Sequence, residues 1–313
     1  MQKNPLIITI AQENHQLRLD LALSRQIPHY SRAQFQQWIK AGNVTVNQHC
    51  IQKPRHSVIM GDQVLINITT ETQTTDEPEA LALNIIAEDE TILVINKPVG
   101  LIVHPGAGNK KHTLLNALLH HAPQLSQLPR AGIVHRLDKD TSGLLVIAKT
   151  LEAHHALIQQ MQRKTVKREY WALVCGNMIS GGTIDAPMGR HPTQRTKMAV
   201  IEEGKPAITH YRVLERFAHH TLLSVLLETG RTHQIRVHMA HKGYPIVGDV
   251  TYSRKRSYPT LSQAAQTALN YFHHQALHAI SLTFTHPSLQ KVMQWKAALP
   301  DDFAQLLETL RKS

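Results

Sequence analysis

Cysteine is scarce in this sequence, which has only Cys50 and Cys175 among its 313 residues. Two thiols so far apart exclude a disulfide framework and favour the reducing cytoplasm as the compartment. Long apolar runs are also missing, because no stretch reaches the roughly 18 residues that a membrane-spanning helix needs. The first residues, MQKNPLIITIAQENHQ, lack the apolar centre and the cleavage site of a secretory signal. The sequence therefore predicts a cytoplasmic protein that does not cross a membrane.

The familiar signatures of cofactor and metal sites are missing as well. There is no CxxC pair, no HExxH and no dinucleotide fingerprint, and GAGNKKHT, from Gly106, lacks the ending of a phosphate-binding loop. His233, His238 and His241 lie close together, but not at the i, i+4 spacing beside a glutamate that a helical zinc site uses. We expect neither a metal nor another cofactor. A metal-dependent hydrolase that uses these histidines is the weaker alternative.

Acidic residues are outnumbered, since 34 lysines and arginines face 23 aspartates and glutamates and give a net charge of +11. Such an excess favours a polyanionic partner, because basic side chains release counterions from phosphates. The charge is uneven: residues 69–90 hold seven acidic residues and no lysine or arginine. The polar stretch TTETQTTDEPEA, Thr69–Ala80, is typical of a linker. We predict a small basic domain over residues 1–68, an acidic linker over 69–82 and a large domain over 83–313.

The small basic domain shows the pattern of two helices followed by a small sheet. QLRLDLALSRQI has apolar residues at helical intervals, and SRAQFQQWIKAG places Phe35, Trp38 and Ile39 on one face. NVTVNQHCI alternates as a hairpin does. This arrangement resembles an S4 RNA-binding domain. The resemblance implies that basic residues of this domain contact RNA, among them Arg32, Lys40 and Lys53.

The large domain mixes strands with helices. LNIIAEDETILVINKPVG predicts two strands joined by an acidic turn, and GLLVIAKT and KREYWALVCG predict further strands. KPAITHYRVLERF and HHTLLSVLLETGR predict a strand pair. HTLLNALLHHA, LEAHHALIQQMQRK and THQIRVHMAHKG predict helices, the last of them entered from a tight turn at Gly230. We therefore expect an α+β fold with a mixed sheet and flanking helices.

One loop concentrates charge beside a strand that has the pattern of a buried one. In GIVHRLDKDTSGLLVIAKT, Gly132–Thr150, one histidine, one arginine, one lysine and two aspartates stand just before an apolar run. A carboxylate beside cations stays ionised and can act as a nucleophile or a base. The alternative is a salt-bridged surface loop, which is the common fate of such charges. From the loop alone, both interpretations of Asp138 stay open.

Further segments bear on this choice, because four of them occur together in a fixed order: HRLDKDTSGLLVIAKT, KREYWALVCG, LETGRTHQIRVHMAHKGYPIVGD and HQALHAISLTFTHP. The set closely resembles the RluA family of RNA pseudouridine synthases, and the S4-like domain, with HPTQRTKMAV and GKPAITHYRV, matches its RluD-like branch. The resemblance covers the chain from about Gln16 to about Pro300. It implies a mixed or antiparallel catalytic sheet that isomerises uridine to pseudouridine without metal or cofactor. It also implies a monomer that acts on several clustered uridines in a stem-loop of 23S ribosomal RNA of the large subunit, or its assembly precursor.

The resemblance also assigns roles to single residues. Asp138 matches the catalytic aspartate, which either attacks C1′ of the ribose or takes a proton from C2′. Tyr170 matches the tyrosine that stacks on the target base and is placed to take the C5 proton. Arg236 matches the arginine that pairs with the aspartate, and Arg231 is the second choice for that role. RNA contacts are expected from the residues around these segments: His135, Arg136, Lys167, Arg168, Arg190, Arg195 and Arg231.

The alternative function is that of an RNA-binding or ribosome-assembly factor which uses the same fold without catalysis. Its S4-like domain and its basic charge would be the same. The presence of Asp138, Tyr170 and Arg236 together argues against it, because a protein that only binds RNA has little use for the complete set.

Overall fold

The computed structural model of the chain describes residues 5–28, 30, 32–67, 76–106, 108–109, 111–194, 196–253 and 257–313. Arg195, one of the predicted RNA contacts, lies outside these described residues. The chain divides into two units, Met1–Gln73 and Thr74–Ser313. Within the described ranges, no helix is both long enough and apolar enough to cross a membrane.

The first unit packs two helices on a small antiparallel sheet, as the sequence predicts. Its elements are β1 (Leu6–Thr9), α1 (Leu19–Gln26), α2 (Arg32–Lys40), β2 (Val44–Val46), β3 (His49–Cys50) and β4 (Gln63–Ile66). The strand order is β1-β4-β2-β3. Leu19 and Leu23 of α1 and Phe35 and Ile39 of α2 are buried against Val64, because residues four apart share one helix face. The sequence did not predict β1, which is a short apolar run without alternation and becomes a strand by pairing with β4.

The second unit is built on a mixed sheet. Its strands are β5 (Ile85–Glu88), β6 (Ile92–Lys97), β7 (Ser142–Ala148), β8 (Lys167–Cys175), β9 (Gly182–Asp185), β10 (Met188–Arg190), β11 (Met198–Val200), β12 (Ile208–Arg216), β13 (His220–Leu227), β14 (Leu277–Thr285) and β15 (Val292–Lys296). Over the described residues the sheet has nine strands in the order β5-β6-β7-β14-β8-β13-β12-β9, with β15 paired to β14. β10 and β11 form a separate hairpin. The pair β7/β14 is parallel, and the other pairs described in this sheet are antiparallel.

Helices flank this sheet, and local capping signals mark the start of several of them. They are α3 (Leu114–His121), α4 (Leu151–Gln162), α5 (Gln234–His241), α6 (Gln263–Tyr271) and α7 (Asp301–Arg311). The side chains of Thr113 and Asn116 form a reciprocal capping box at the start of α3, and Thr150 caps α4. The predicted helices α3, α4 and α5 and the predicted strand pair β12/β13 are confirmed. The sequence did not predict β9 and β15, which are short strands defined by pairing with a neighbour.

The segment that positions the candidate site is β7, which is buried along its whole length as its apolar run predicts. It pairs with β14 at Ser142 and Gly143, and the Ser142 hydroxyl lies 2.8 Å from Nδ1 of His278. A Cβ atom at Gly143 would lie 2.4 Å from the amide nitrogen of Ala279, and its φ is +113°. Glycine is therefore required where the two strands meet. This junction fixes the end of the sheet from which the loop carrying Asp138 enters β7.

The stretch predicted as a linker, 69–82, falls partly outside the described residues. In its described part, Nδ2 of Asn116 donates to the carbonyl of Glu77 at 2.8 Å, and the amide of Glu79 donates to the carbonyl of Asn116 at 3.0 Å. These bonds hold that part of the stretch against α3. The boundaries at residues 68 and 82 stay predictions.

Candidate active site

The loop that carries Asp138 is held in place by Lys97 at the end of β6. The Lys97 side chain is fully buried, and its Nζ donates to the carbonyl oxygen of Lys139 at 2.9 Å. It also donates to the carbonyls of Pro98 and Leu101, at 2.7 and 2.9 Å. The buried Lys97 side chain therefore ties the backbone next to Asp138 to the end of β6.

The charge of Lys97 is finely balanced. Burial lowers the pKa of its ammonium group to about 7, while the nearby carboxylates of Asp140 and Asp138 favour the charged form. Three carbonyl acceptors around Nζ match the three donors of an ammonium group, whereas a neutral amine has only two. The three carbonyls therefore favour the charged form, which burial opposes.

Arg236, on α5, holds one oxygen of Asp138. Its Nη1 donates to Oδ2 of Asp138 at 2.9 Å, and the side chains of Arg236 and Asp138 are 4% and 15% exposed. Asp249 binds the other side of the same guanidinium, with Nε to Oδ2 at 2.7 Å and Nη2 to Oδ1 at 3.0 Å. Burial opposes the charge of Arg236, but its bonds to Asp249 and Asp138 raise its pKa. The guanidinium is thus a permanent cation fixed between two carboxylates.

The second oxygen of Asp138 has a different environment. Oδ1 faces Nε2 of His233 at 3.9 Å, which is too long for a direct hydrogen bond. One oxygen of the carboxylate is therefore anchored and the other is open to an incoming group. A nucleophile or a base in a fixed orientation needs this arrangement.

A cavity of about 1090 Å³ opens over these groups. Asp138, Tyr170 and Arg236 line it, and they come from three separate elements: the loop before β7, strand β8 and helix α5. Tyr170 is only 5% exposed, and burial raises the pKa of its phenol, although the charge of Arg168 opposes the shift. The structure thus brings together the three residues that the sequence comparison with the RluA family singled out as catalytic.

Comparisons with known proteins identify the family of this chain. Residues 91–241 match the model of the RNA pseudouridylate synthase family, and residues 17–64 match that of the S4 domain. The chain is 52% identical over 295 residues to the ribosomal large subunit pseudouridine synthase D of Pasteurella multocida, an alignment that covers 94% of this chain and 91% of that protein. It is 49% identical over 311 residues to the Escherichia coli K12 protein of the same name, covering 99% of this chain and 95% of the relative. The chain belongs to the RNA pseudouridylate synthase family. A solved structure of human RNA pseudouridylate synthase domain containing 4 also matches, with a TM-score of 0.58 and 28% identity over 73% of this chain and 93% of that one.

Four of the seven RNA contacts that are predicted in the catalytic domain of this pseudouridylate synthase line the same cavity. Those that line it are His135, Arg136, Arg168 and Arg231. The guanidinium of Arg168 packs over Gly230, where a Cβ atom would lie 2.6 Å from its Nη1 and would displace this side chain. Two predicted contacts are exposed on strands and do not line the cavity: Lys167 and Arg190. The role of each in binding RNA stays a prediction.

His135 points inward more than its place in HRLD suggests. Its Nε2 accepts a hydrogen bond from the amide of Val146 at 3.1 Å, at a point on β7 where no pairing with β14 is recorded. Because Nε2 is the acceptor, the ring proton is on Nδ1, and that atom is buried with no hydrogen-bond partner among the described residues. Burial and the charge of Arg168 lower the pKa of His135 to about 3, so the ring is neutral. The geometry supports a role for His135 in attaching the loop to β7.

The predicted histidine cluster does not form one site. His238 is buried, with Nδ1 at 2.9 Å from the Thr209 hydroxyl and Nε2 at 3.0 Å from the carbonyl of Ala186, whereas His233 faces Asp138. In the part of the chain that the structure describes, no group of three or more histidine, cysteine, aspartate or glutamate residues is arranged to hold a metal. His238 is therefore explained by packing and hydrogen bonding.

In the S4 unit, a buried carboxylate organises the basic surface. Asp20 is fully buried and accepts Nε of Arg32 at 3.0 Å and the fork of Arg18 at 3.0 and 2.9 Å. Burial alone would raise the pKa of Asp20, but hydrogen bonds from Arg18, Gln36 and Arg32 lower it to about 2. Two arginines are thus held side by side at the surface. The other predicted contacts of this unit are exposed: Lys40 and Lys53.

Three residues of the site were missed at the sequence level: Lys97, Asp249 and Tyr252, whose phenol oxygen lies 2.7 Å from Nδ1 of His233. The sequence pattern suggested His233 only as a metal ligand. His233 and Asp249 stand inside the segment LETGRTHQIRVHMAHKGYPIVGD, but nothing in their spacing shows that both face the same arginine and carboxylate. Lys97 ends a strand, where an exposed lysine is the ordinary expectation. Only the packing of α5 and of the loop before β7 brings these groups together.

Proposed function

We propose that this chain isomerises uridine to pseudouridine in RNA of the large ribosomal subunit, most directly in a stem-loop of 23S ribosomal RNA. The reaction breaks the bond from ribose C1′ to N1 and forms one from C1′ to C5; the C5 proton leaves and N1 gains a proton. The balance is an isomerisation and requires no oxidant, reductant or co-reactant. Family membership, the S4 domain and the names of the relatives at about 50% identity support the proposal.

The observation that carries the proposal is the Asp138–Arg236 pair at the base of the cavity. Arg236 binds Oδ2 of Asp138, and Oδ1 faces Nε2 of His233 at the cavity wall. An oriented carboxylate of this kind either attacks C1′ or removes the proton from C2′. A salt bridge that served only stability would have no need of the cavity above it.

Tyr170 acts on the base in this proposal. Its ring lines the cavity and packs on the target uracil, and its oxygen receives the C5 proton. Since burial raises the pKa of Tyr170, the phenol is protonated in the resting enzyme and must lose its proton before it can accept one. This requirement gives the rate a pH dependence.

A uridine inside a helix cannot reach Asp138, so the target nucleotide leaves its stack and enters the cavity. Arg136 is exposed on the catalytic loop and lines the cavity, where it can hold the RNA backbone or fill the vacated position. We expect Arg136→Ala to lower turnover on a minimal stem-loop. Unchanged turnover would count against this part of the proposal.

Binding in this proposal uses both units. The domain over residues 1–68 holds RNA through Arg32, Lys40 and Lys53, and the linker over 69–82 tethers it to the catalytic domain over 83–313. A tethered second site raises the effective concentration of the RNA at the first. The enzyme acts as a monomer in the cytoplasm.

The test is a pseudouridine map of ribosomal RNA from cells that lack this gene, complemented with wild type, Asp138→Asn or Asp185→Asn. Asp185 is an exposed carboxylate on β9 that does not line the cavity, so it serves as the matched control. We expect specific pseudouridines to disappear in the deletion and to return with wild type and Asp185→Asn, but not with Asp138→Asn. If Asp138→Asn restores them, Asp138 is not the catalytic carboxylate. If the map never changes, the chain binds RNA without modifying this one.

A further inference from the structure

The open oxygen of Asp138 has one close polar neighbour whose role the proposed function does not use. Nε2 of His233 lies 3.9 Å from Oδ1, and the His233 side chain is 21% exposed at the cavity wall. The gap is too wide for a direct bond and too narrow to leave the two groups independent. A polar atom that lies beside this gap can form a hydrogen bond to both groups at once.

The surroundings of His233 determine which nitrogen carries its proton. Nδ1 lies 2.7 Å from the phenol oxygen of Tyr252, and that oxygen accepts the amide of Met198 at 2.8 Å. A phenol has a single proton, and we assign it to the bond with Nδ1 of His233, since the amide of Met198 already donates to the same oxygen. The neutral ring then carries its proton on Nε2. The N–H group on the cavity side is therefore a donor.

The ring is also neutral. Burial lowers the pKa of His233, and the charges of Arg236 and Arg136 act in the same direction, while Asp138 and Asp249 oppose them. Tyr252, which bonds to Nδ1, packs edge-on against the ring at 5.6 Å between centroids and lies beneath the guanidinium of Arg236. Tyr252 therefore contacts both His233 and Arg236, the two residues that face the carboxylate of Asp138.

The backbone of His233 also has an uncommon conformation. His233 precedes α5 with φ 58° and ψ 20°, the left-handed region that glycine and asparagine adopt at least cost. Histidine is enriched in this region among residues that have a Cβ atom, and it supplies an imidazole that glycine lacks.

We propose that Nε2–H of His233 and Oδ1 of Asp138 together bind the 2′-hydroxyl of the target ribose. This inference rests on the proposed function and deepens it: it names the group by which the site distinguishes ribose from deoxyribose. In both routes open to Asp138, Oδ1 approaches either C1′ or the hydrogen on C2′. The hydroxyl on C2′ then lies next to Oδ1.

The donors and acceptors match. The hydroxyl accepts a hydrogen bond from Nε2–H and donates one to the carboxylate, so the donor and the acceptor of the site are both satisfied. With bonds of about 2.8 Å to each, a separation of 3.9 Å gives an angle of about 90° at the hydroxyl oxygen. Widening the separation by roughly 0.7 Å brings that angle to the tetrahedral value. The sugar is thereby fixed with C1′ and C2′ beside the reactive oxygen.

The experiment is a cycle between the protein and the sugar. Two synthetic stem-loops contain a uridine located by the pseudouridine map, with ribose or 2′-deoxyribose at that nucleotide. Single-turnover rates are measured for wild type, His233→Asn and Tyr252→Phe. Asparagine tolerates the left-handed backbone but does not reach Oδ1, so His233→Asn keeps the fold and removes the donor. His241→Gln, at an exposed position on the same helix, is the matched control.

We expect wild type and His241→Gln to favour the ribose substrate by the same factor, and His233→Asn to reduce that factor roughly five- to tenfold, as one hydrogen bond is worth. Tyr252→Phe is expected to reduce it in the same direction, because the ring can then place its proton on Nδ1. If no variant converts the deoxy substrate, the same cycle is read from the dissociation constants of the two RNAs. The proposal is overturned if His233→Asn lowers rate or affinity for both sugars by the same factor, or leaves both unchanged. If wild type makes no pseudouridine in the ribose substrate, the proposed function itself has failed, which is a different outcome.

Discussion

Arg236 and Asp249 are joined by two hydrogen bonds, of 2.7 and 3.0 Å, and this pairing decides how Arg236 meets Asp138. A guanidinium that donates one N–H of Nε and one of Nη2 to a carboxylate keeps three further N–H groups, and Nη1 donates one of them to Oδ2 of Asp138 at 2.9 Å. The plane of the fork fixes the direction of both bonds at once. Asp249 therefore fixes the orientation of the guanidinium that holds Oδ2 of Asp138.

Replacing Arg236 by lysine tests this fork. A lysine keeps the positive charge but cannot bridge Asp138 and Asp249 in one plane, so we expect the single-turnover rate to fall roughly 100-fold or more through misplacement of the carboxylate. Binding of the stem-loop should stay within about twofold, because Arg236 is buried and does not face the RNA backbone. The measurement is the rate of pseudouridine formation together with a filter-binding titration. A rate within threefold of wild type would show that charge alone suffices.

The pH dependence of the reaction tests the part assigned to Tyr170. Burial raises the pKa of this phenol above its ordinary value of 10.0, so the phenolate fraction is small at pH 7 and rises tenfold per pH unit. If the phenolate accepts the C5 proton, the single-turnover rate at saturating RNA should increase from pH 7 to pH 9 without a plateau. Tyr170→Phe should be slower and should lose this increase while it keeps its affinity for RNA. A wild-type rate that is flat over this range would exclude the phenolate as the base.

Lys97 makes a prediction about stability. Lys97→Met leaves three buried carbonyl acceptors without their donor, and we expect a loss of about 3 kcal/mol or more in the free energy of unfolding of the catalytic unit. Lys291→Met, at an exposed position, is the control and should change little. Urea unfolding followed by circular dichroism gives the comparison. A variant as stable as the control would mean that the loop rearranges to satisfy its own carbonyls.

The same substitution has a pH signature. Lys97 has a pKa of about 7 in the folded chain against an ordinary 10.5, so the unfolded state binds the proton more tightly between these values. Stability from this group therefore increases as the pH rises from 7 towards 10.5 and is lost as the pH falls. We expect the difference in the free energy of unfolding between wild type and Lys97→Met to be larger at pH 9 than at pH 7. An equal difference at both pH values would show that Lys97 keeps its ordinary pKa in the folded state.

Lys167 should act through phosphate rather than through the base. It is exposed at the start of β8, three residues before Tyr170, and does not line the cavity. Lys167→Ala should lower the slope of log affinity against log salt by about 0.7 to 0.9, the value for one lost phosphate contact, with little effect on the rate at saturating RNA. Lys296→Ala, at an exposed position on β15, should leave the slope unchanged. Equal slopes for wild type and Lys167→Ala would remove Lys167 from the RNA interface.

The sequence by itself determined much of this protein. Apolar periodicity and capping residues predicted the two helices of the S4 unit, the buried strand β7 and the helices α3, α4 and α5, because these elements bury a continuous face or carry their own start signal. The order of four segments assigned the family and pointed to Asp138, Tyr170 and Arg236. Local chemistry decides these features, so a linear pattern is enough to find them.

Tertiary structure alone decided how the site is oriented. Asp138 and Arg236 are 98 residues apart, and only the fold shows that Arg236 also holds Asp249, that Lys97 fixes the loop and that His233 faces the open oxygen. Short edge strands such as β1 and β15 likewise exist because a neighbour pairs with them. Hydrogen-bond direction, burial and the proton position on His233 depend on atoms brought together from distant segments. The sequence names the residue types, and packing decides which atoms of each meet.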